Sequence, residues 1–318
     1  MKKRKLIIDT DCGSDDAMAI AMALNDPGYE ILMFSTVSGN VRMEQATANL
    51  LTTLKITDTY DPPVYQGSDE MRKRDWVGAY DTHGSDGMGD LSLIDPSLKP
   101  QEGNAVDMIL KTLSENEAGQ IDIITLGPLT NIAAAIEKSP EIMRRTNRIV
   151  SMATPGKASG NMTPYAEFNV WQDAEAFDYV LNSEVCEILL VGWSSCLNDA
   201  ILDENDIVRI RESGTLGKFL IDANRTLIAM NLDRFKTECL DMADPAAIAA
   251  ALYPECIREC GAYYCFVDTQ DGDHYGEVRI DFEKESGRRP NASVCTELDG
   301  KKFKEYLYQR LQIKKDPA

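Results

Sequence analysis

Short, unbroken apolar runs alternate along this chain with longer stretches whose apolar positions recur every three or four residues. Leu6-Ile7-Ile8 opens the series and reads as a buried strand. Ala17 to Leu24 is apolar at every position and reads as a buried helix. Tyr29 to Val37 predicts a second strand, bounded by Asp26-Pro27-Gly28 and Ser38-Gly39-Asn40. Met43 to Leu54 has helical period. Ile121 to Leu126 predicts a strand, and Leu129 to Glu137 a helix after Gly127-Pro128. Arg148 to Met152 and Cys186 to Val191 predict further strands, with a helix over Asp173 to Leu181 between them. Helices are expected through about Tyr253, then a β-rich stretch over Gly261 to Cys295, then a closing helix over Lys302 to Leu311.

This rhythm predicts the α/β class: an open, mostly parallel, mixed sheet with helices on both faces, Rossmann-like in layout. No internal repeat or Pro/Gly/Ser linker interrupts it, so residues 1–318 are expected to form a single domain. The longest irregular stretch, Gly67 to Pro100, has the length of a lid or binding loop. Ligands of open α/β sheets bind beyond the carboxyl ends of the strands. Several polar residues of this chain fall at such ends.

Four aspartates crowd into the turn after the first strand: Asp9, Asp11, Asp15 and Asp16. Two carboxylates about 4 Å apart repel by roughly 4 kcal/mol at an effective dielectric near 20. They must gain a counter-charge, take up a proton or separate. A hard divalent cation with oxygen ligands is the simplest remedy. A helix N-terminus supports Asp15 and Asp16, although capping alone needs one carboxylate. An EF-hand does not fit, because Ile20 stands where the twelfth-position glutamate belongs.

The chain carries 33 basic and 52 acidic residues, a formal charge of −19. That argues against nucleic-acid binding and against attraction to anionic membranes. No apolar run approaches a membrane span, and the basic start Met1 to Lys5 is followed by too short an apolar run for a signal peptide. A cytoplasmic location is expected. Eight scattered cysteines, including Cys256 and Cys260 near a probable helix end, are expected to be reduced structural thiols.

The segment Asp9-Thr10-Asp11-Cys12-Gly13-Ser14-Asp15-Asp16-Ala17 closely resembles the DxDPGxDDA signature of the inosine–uridine preferring nucleoside hydrolases, with Cys12 replacing proline. Further motifs follow in the family's order: Ser38-Gly39-Asn40, His83-Gly84-Ser85-Asp86-Gly87, Leu126 to Asn131, Glu167-Phe168-Asn169 and Asp244-Pro245. The resemblance covers about residues 5 to 255. It implies calcium-dependent hydrolysis of the N-glycosidic bond of ribonucleosides, within nucleobase salvage, by a homodimer or homotetramer.

The same resemblance assigns roles. Asp11 becomes a calcium ligand and the base that activates water. Asp16, Asp244 and the Leu126 carbonyl complete the protein ligands of Ca2+. Asp15, Asn40, Asn161, Glu167 and Asn169 hold ribose hydroxyls. Met152 packs near the sugar, His83 joins the substrate site, and Asp9 stands behind the ligands. Trp76 and Tyr80, in the long irregular stretch, are candidates for stacking on a nucleobase.

One departure bears on mechanism. Family members that hydrolyse pyrimidine nucleosides and inosine carry a leaving-group histidine just before the last metal aspartate. This chain reads Met242-Ala243-Asp244, and Ala243 has no proton to donate. The sequence therefore leads us to expect steep dependence on the leaving group, with His83 or Asp86 as substitutes for the missing acid. A binder of nucleosides or ribose without turnover is the alternative. A haloacid-dehalogenase-type phosphatase also places DxD after its first strand, but the threonine, lysine and acidic pair of that family have no counterparts.

Overall fold

The computed structural model describes residues 3–313. Met1 and Lys2 of the basic start, and 314–318 of the expected domain, lie outside the described residues. Among the described residues twelve strands are formed: β1 (Arg4–Thr10), β2 (Tyr29–Thr36), β3 (Val64–Gln66), β4 (Ile121–Thr125), β5 (Arg148–Met152), β6 (Glu187–Val191), β7 (Ile201–Asp203), β8 (Cys239–Asp241), β9 (Ile257–Tyr263), β10 (Cys265–Val267), β11 (Val278–Ile280) and β12 (Ala292–Leu298). Eight of them make the main sheet, in the order β3-β2-β1-β4-β5-β6-β12-β9. Every pairing in it is parallel except β12 with the edge strand β9. The expected mixed, mostly parallel sheet is what forms. Two small antiparallel pairs, β7 with β8 and β10 with β11, stand apart.

Residues of the central strands are buried on both faces, which explains their unbroken apolar runs. Leu6 and Ile8 pack into one core layer, and Ile7 between them packs into the other. Val150 and Ile149 divide in the same way. Helices Ala105–Ser114, Thr130–Lys138 and Ala174–Leu181 cover one face. Helices Ser14–Leu24 and Ala243–Leu252 cover the other. Full burial of each large aliphatic side chain contributes about 1.5–3 kcal/mol.

The last two helices decide where the chemistry falls. Both are buried at every position and rich in alanine, so they pack directly against each other. Both start at the carboxyl end of the sheet. Asp15 and Asp16 lie in the first turn of one, and Asp244 in the first turn of the other. Alanine packing thereby brings two acidic helix starts together beside the point where the strand order reverses, between β1 and β4.

Several details differ from the sequence reading. The segment between Val191 and Tyr253, expected to be helical throughout, contains β7 and β8 among its helices; three-residue strands carry too little periodicity to be read. Helix Ala105–Ser114 has no counterpart among the expected elements, although Asn104 caps it by accepting the Val106 N–H at 2.9 Å. Cys256 ends a 3-10 turn and Cys260 lies on β9, so the two do not share a helix end. No helix among the described residues is long and apolar enough to cross a membrane.

Candidate active site

The deepest part of the site is built from the turn after β1. The Asp11 carboxylate is wedged between backbone segments: a Cβ on Gly39 would fall 2.0 Å from its Oδ2, and one on Gly127 2.8 Å from its Oδ1. The Asn40 N–H donates to Oδ2 at 2.7 Å, while Oδ1 is buried with no hydrogen-bond partner. Asp16 is held by the Thr10 hydroxyl at 2.5 Å, the Gly13 N–H at 2.7 Å and the Asn40 side-chain amide at 3.2 Å. Carboxylate oxygens of Asp15, Asp16 and Asp244 all lie within 4.8 Å of one another. Asp15, assigned to ribose by the resemblance, is thus a member of the tightest acidic group, and Asp11 is not.

Electrostatics follow from burial and like charge. Burial, then the charge of Asp15, pushes Asp16 up to about 7. Burial and then Asp16 hold Asp11 well above the usual carboxylate range, and Asp244 is raised by the same two causes. The Cys12 thiol, fully buried beside these carboxylates, is raised for both reasons and is an inert packed group.

Behind Asp11, Asp9 accepts from the Ser35 hydroxyl and from the Asn131 amide at 2.8 Å. Burial pushes it up to about 7. Asn131 also donates to the Thr36 carbonyl at 3.0 Å and accepts the Ser68 N–H at 2.9 Å. The Asn of the Leu126–Asn131 motif therefore ties the ends of β1 and β2 to the segment after β3.

In front of the carboxylates opens a cavity of about 510 Å³. Asp15, Asn40, His83, Leu126, Met152, Asn161, Glu167, Asn169 and Asp244 all border it. Asn169 donates to the Leu126 carbonyl at 2.7 Å and to the Met152 carbonyl at 3.2 Å. Glu167 is a buried N-cap, accepting the Asn169 and Val170 N–H groups, and burial pushes it up to about 7. Asn161 accepts the Phe168 N–H at 2.8 Å. Asn40 does not cap the helix that follows it; Ser38 and Asp69 receive the Met43 N–H there.

His83 lies under the cavity wall, its Nδ1 2.8 Å from the Ser14 hydroxyl and 3.8 Å from Asp15. The Ser14 backbone N–H also points at Nδ1, at 3.3 Å, which places the ring proton on Nε2. Burial lowers its pKa and Asp15 opposes that. Asp86 has a different role from the one its motif suggested. It does not border the cavity, and its carboxylate accepts the Met88, Asp90 and Ser92 N–H groups, folding its own loop. Trp76 is likewise committed elsewhere: its indole donates to the Gly39 carbonyl at 2.7 Å, and Arg42 stacks 4.6 Å from its ring. Tyr80 borders the cavity and is exposed.

Trp193, Arg234 and Asp241 also border the cavity and belong to none of the sequence motifs. Asp241 carried a signal, as the lone charge in the stretch Cys239 to Ala243.

The profile of the inosine-uridine preferring nucleoside hydrolases matches residues 6–305. The chain belongs to that family. This nucleoside hydrolase is 33% identical over 316 residues to the pyrimidine-specific ribonucleoside hydrolase RihA of Salmonella typhimurium, covering 96% of this chain and 98% of that one. It is 44% identical over 186 residues to an uncharacterised protein of Schizosaccharomyces pombe, covering 58% of this chain and 60% of the yeast protein. Among solved structures, a plant nucleoside hydrolase superposes with a TM-score of 0.88 at 29% identity, covering 98% of this chain and 99% of its own. The purine-preferring ribonucleoside hydrolase of Gardnerella vaginalis gives 0.87 at 27% identity, covering 97% and 98%. These relatives differ in the base they are named for.

Proposed function

We propose that this nucleoside hydrolase uses calcium to hydrolyse the N-glycosidic bond of ribonucleosides, releasing nucleobase and ribose for salvage in the cytoplasm. The observation that carries the reading is the convergence of the buried Asp15, Asp16 and Asp244 carboxylates at a cavity bordered by Asp15, Asp244, side-chain amides and Glu167, with the unpartnered Asp11 Oδ1 buried beside Gly127. An oxygen-only donor set with one orphaned oxygen fits a hard divalent cation. Asp11, Asp16, Asp244 and the Leu126 carbonyl would hold it, with Asp15 within reach. Bound there, calcium supplies a lowered water pKa and a fixed orientation for a sugar diol.

The chain's own residues do the rest. Asp11 takes a proton from the attacking water, and its two glycine neighbours fix its carboxylate for that task. Asp15, Asn40, Asn161, Glu167 and Asn169 hold ribose hydroxyls, and Met152 packs against the sugar. Negative charge around the ring stabilises the oxocarbenium-like transition state. A panel of purine and pyrimidine nucleosides, with and without chelator, read by release of free sugar, tests the proposal. Cleavage that survives exhaustive chelation removes calcium from it. Nitrophenyl riboside separates turnover from mere binding, since its leaving group needs no acid. We further expect a homodimer or homotetramer, checked by light scattering.

A further inference from the structure

Departure of a natural base needs a proton, and Ala243 borders the cavity without one. Asp241 borders the same cavity two residues earlier. It is 4% exposed and ends β8, whose pairing with β7 fixes its position at the start of the Ala243–Leu252 helix. From the helix Arg225–Phe235, the buried Asn231 amide donates to its Oδ1 at 2.6 Å. The same amide donates to the Cys239 carbonyl at 3.1 Å, so both of its hydrogens are used and the carboxyl is clamped from one side. On the other side lies the cavity.

We infer that Asp241 is the proton donor to the departing nucleobase, in place of the histidine that Ala243 lacks. The inference rests on the ribonucleoside-hydrolase reading above. As the C1′–N bond breaks, its electron pair goes to the base, and the Asp241 carboxyl proton goes to a ring nitrogen. The water oxygen forms the new bond to C1′, and its proton goes to Asp11. Asp241 regains a proton from solvent after the base leaves. The surroundings favour a carboxyl that still holds its proton: burial raises its pKa, Asp15 adds to that, and Asn231 and Arg234 oppose. Cys196 and Cys239, the other titratable groups beside it, are raised by burial as well. On this assignment the steep leaving-group dependence expected from Ala243 alone emerges only when Asp241 is replaced.

The test compares inosine and uridine with nitrophenyl riboside, using the calcium-loaded full chain. Asp241→Asn should cut kcat/KM for the natural nucleosides by about 10²–10⁴ and for the activated riboside by less than about threefold. Asp241→Glu should recover part of the loss, as a structural role would not require. In the unaltered protein the inosine rate should fall as pH rises past the acid's pKa, and the riboside rate should not. Equal loss on both substrates by Asp241→Asn, or no loss, overturns the assignment. Where that variant does not fold, the pH profiles decide, and matching basic limbs on both substrates overturn it. An unaltered protein that cleaves neither substrate defeats the hydrolase reading itself; one that cleaves both with no split in the variant defeats only the role of Asp241.

Discussion

The floor and the rim of the cavity are built on opposite principles. The floor is made by strand ends and helix starts of the central sheet, where hydrogen bonds between segments hold Asp9, Asp11, Asp16 and Asn169 while Asp9 Oδ2 and Asp11 Oδ1 stay unpartnered. The rim is made by residues Val77 to His83 and by helix Arg225–Phe235, where Val77, Tyr80, Leu232 and Phe235 are exposed. Burial on the floor raises carboxylate pKa values and so stores affinity for a cation. Exposure at the rim stores none, and that region is free to vary with the base. Relatives named for pyrimidines and for purines share one fold, as that division requires.

The division breaks most visibly at Asp11. Asp11→Asn should lower turnover by about 10²–10⁴ or more while circular dichroism and melting stay near those of the parent, since an amide cannot take a proton from water. Near-full activity would move the base elsewhere. Next is Gly39→Ala. The added Cβ meets Asp11 Oδ2 at 2.0 Å, so the carboxylate must shift. We expect calcium affinity, read by titration calorimetry, to drop at least about tenfold, with stability down by about 1–3 kcal/mol from overpacking. A variant that binds calcium as the parent does would show that Asp11 is not a ligand.

A third prediction concerns pH. In the calcium-free protein Asp9 and Asp16 titrate near 7 instead of near 4, and Asp11 and Asp244 are raised too. Native protein then holds protons that the unfolded chain has already released. Such groups favour folding fully below the unfolded pKa, and the contribution is lost as pH rises through the folded one. Each unit is worth about 1.4 kcal/mol per group. The melting temperature in chelator should therefore fall from about pH 5 to about pH 8, and excess calcium should remove most of the slope. A flat profile in chelator would contradict the raised carboxylates. The smallest effect is reserved for the rim. Tyr80→Ala should change KM for one base over another by less than about tenfold and leave nitrophenyl riboside turnover nearly intact.

The sequence was most informative where position in the chain and position in space coincide. Asp11, Asp15 and Asp16 share one turn, and Asp244 opens a helix whose alanine content predicts burial. Strand order in the sheet required a parallel βαβ rhythm, and that rhythm is plain in the unbroken apolar runs. Legibility failed where role depends on partners distant in sequence. Asp86 looked like a site residue until its carboxylate was found folding its own loop. Trp76 looked like a stacking platform until its indole was found on Gly39. Asp241 reaches the wall through β8, a strand of three residues that no periodicity announces.

The Asn131 amide links segments that are far apart in the chain, through Asp9, Thr36 and Ser68. Links of this kind make opening collective, because none of the three segments can leave without stripping a buried polar group of its partner. Deuterium uptake is where this becomes visible. The Ser68 amide lies in an irregular segment and would ordinarily exchange within the fast class of loop protons. Tied to Asn131, it should instead exchange with the slow amides of β1 and β2, and Asn131→Ala should return it to the fast class.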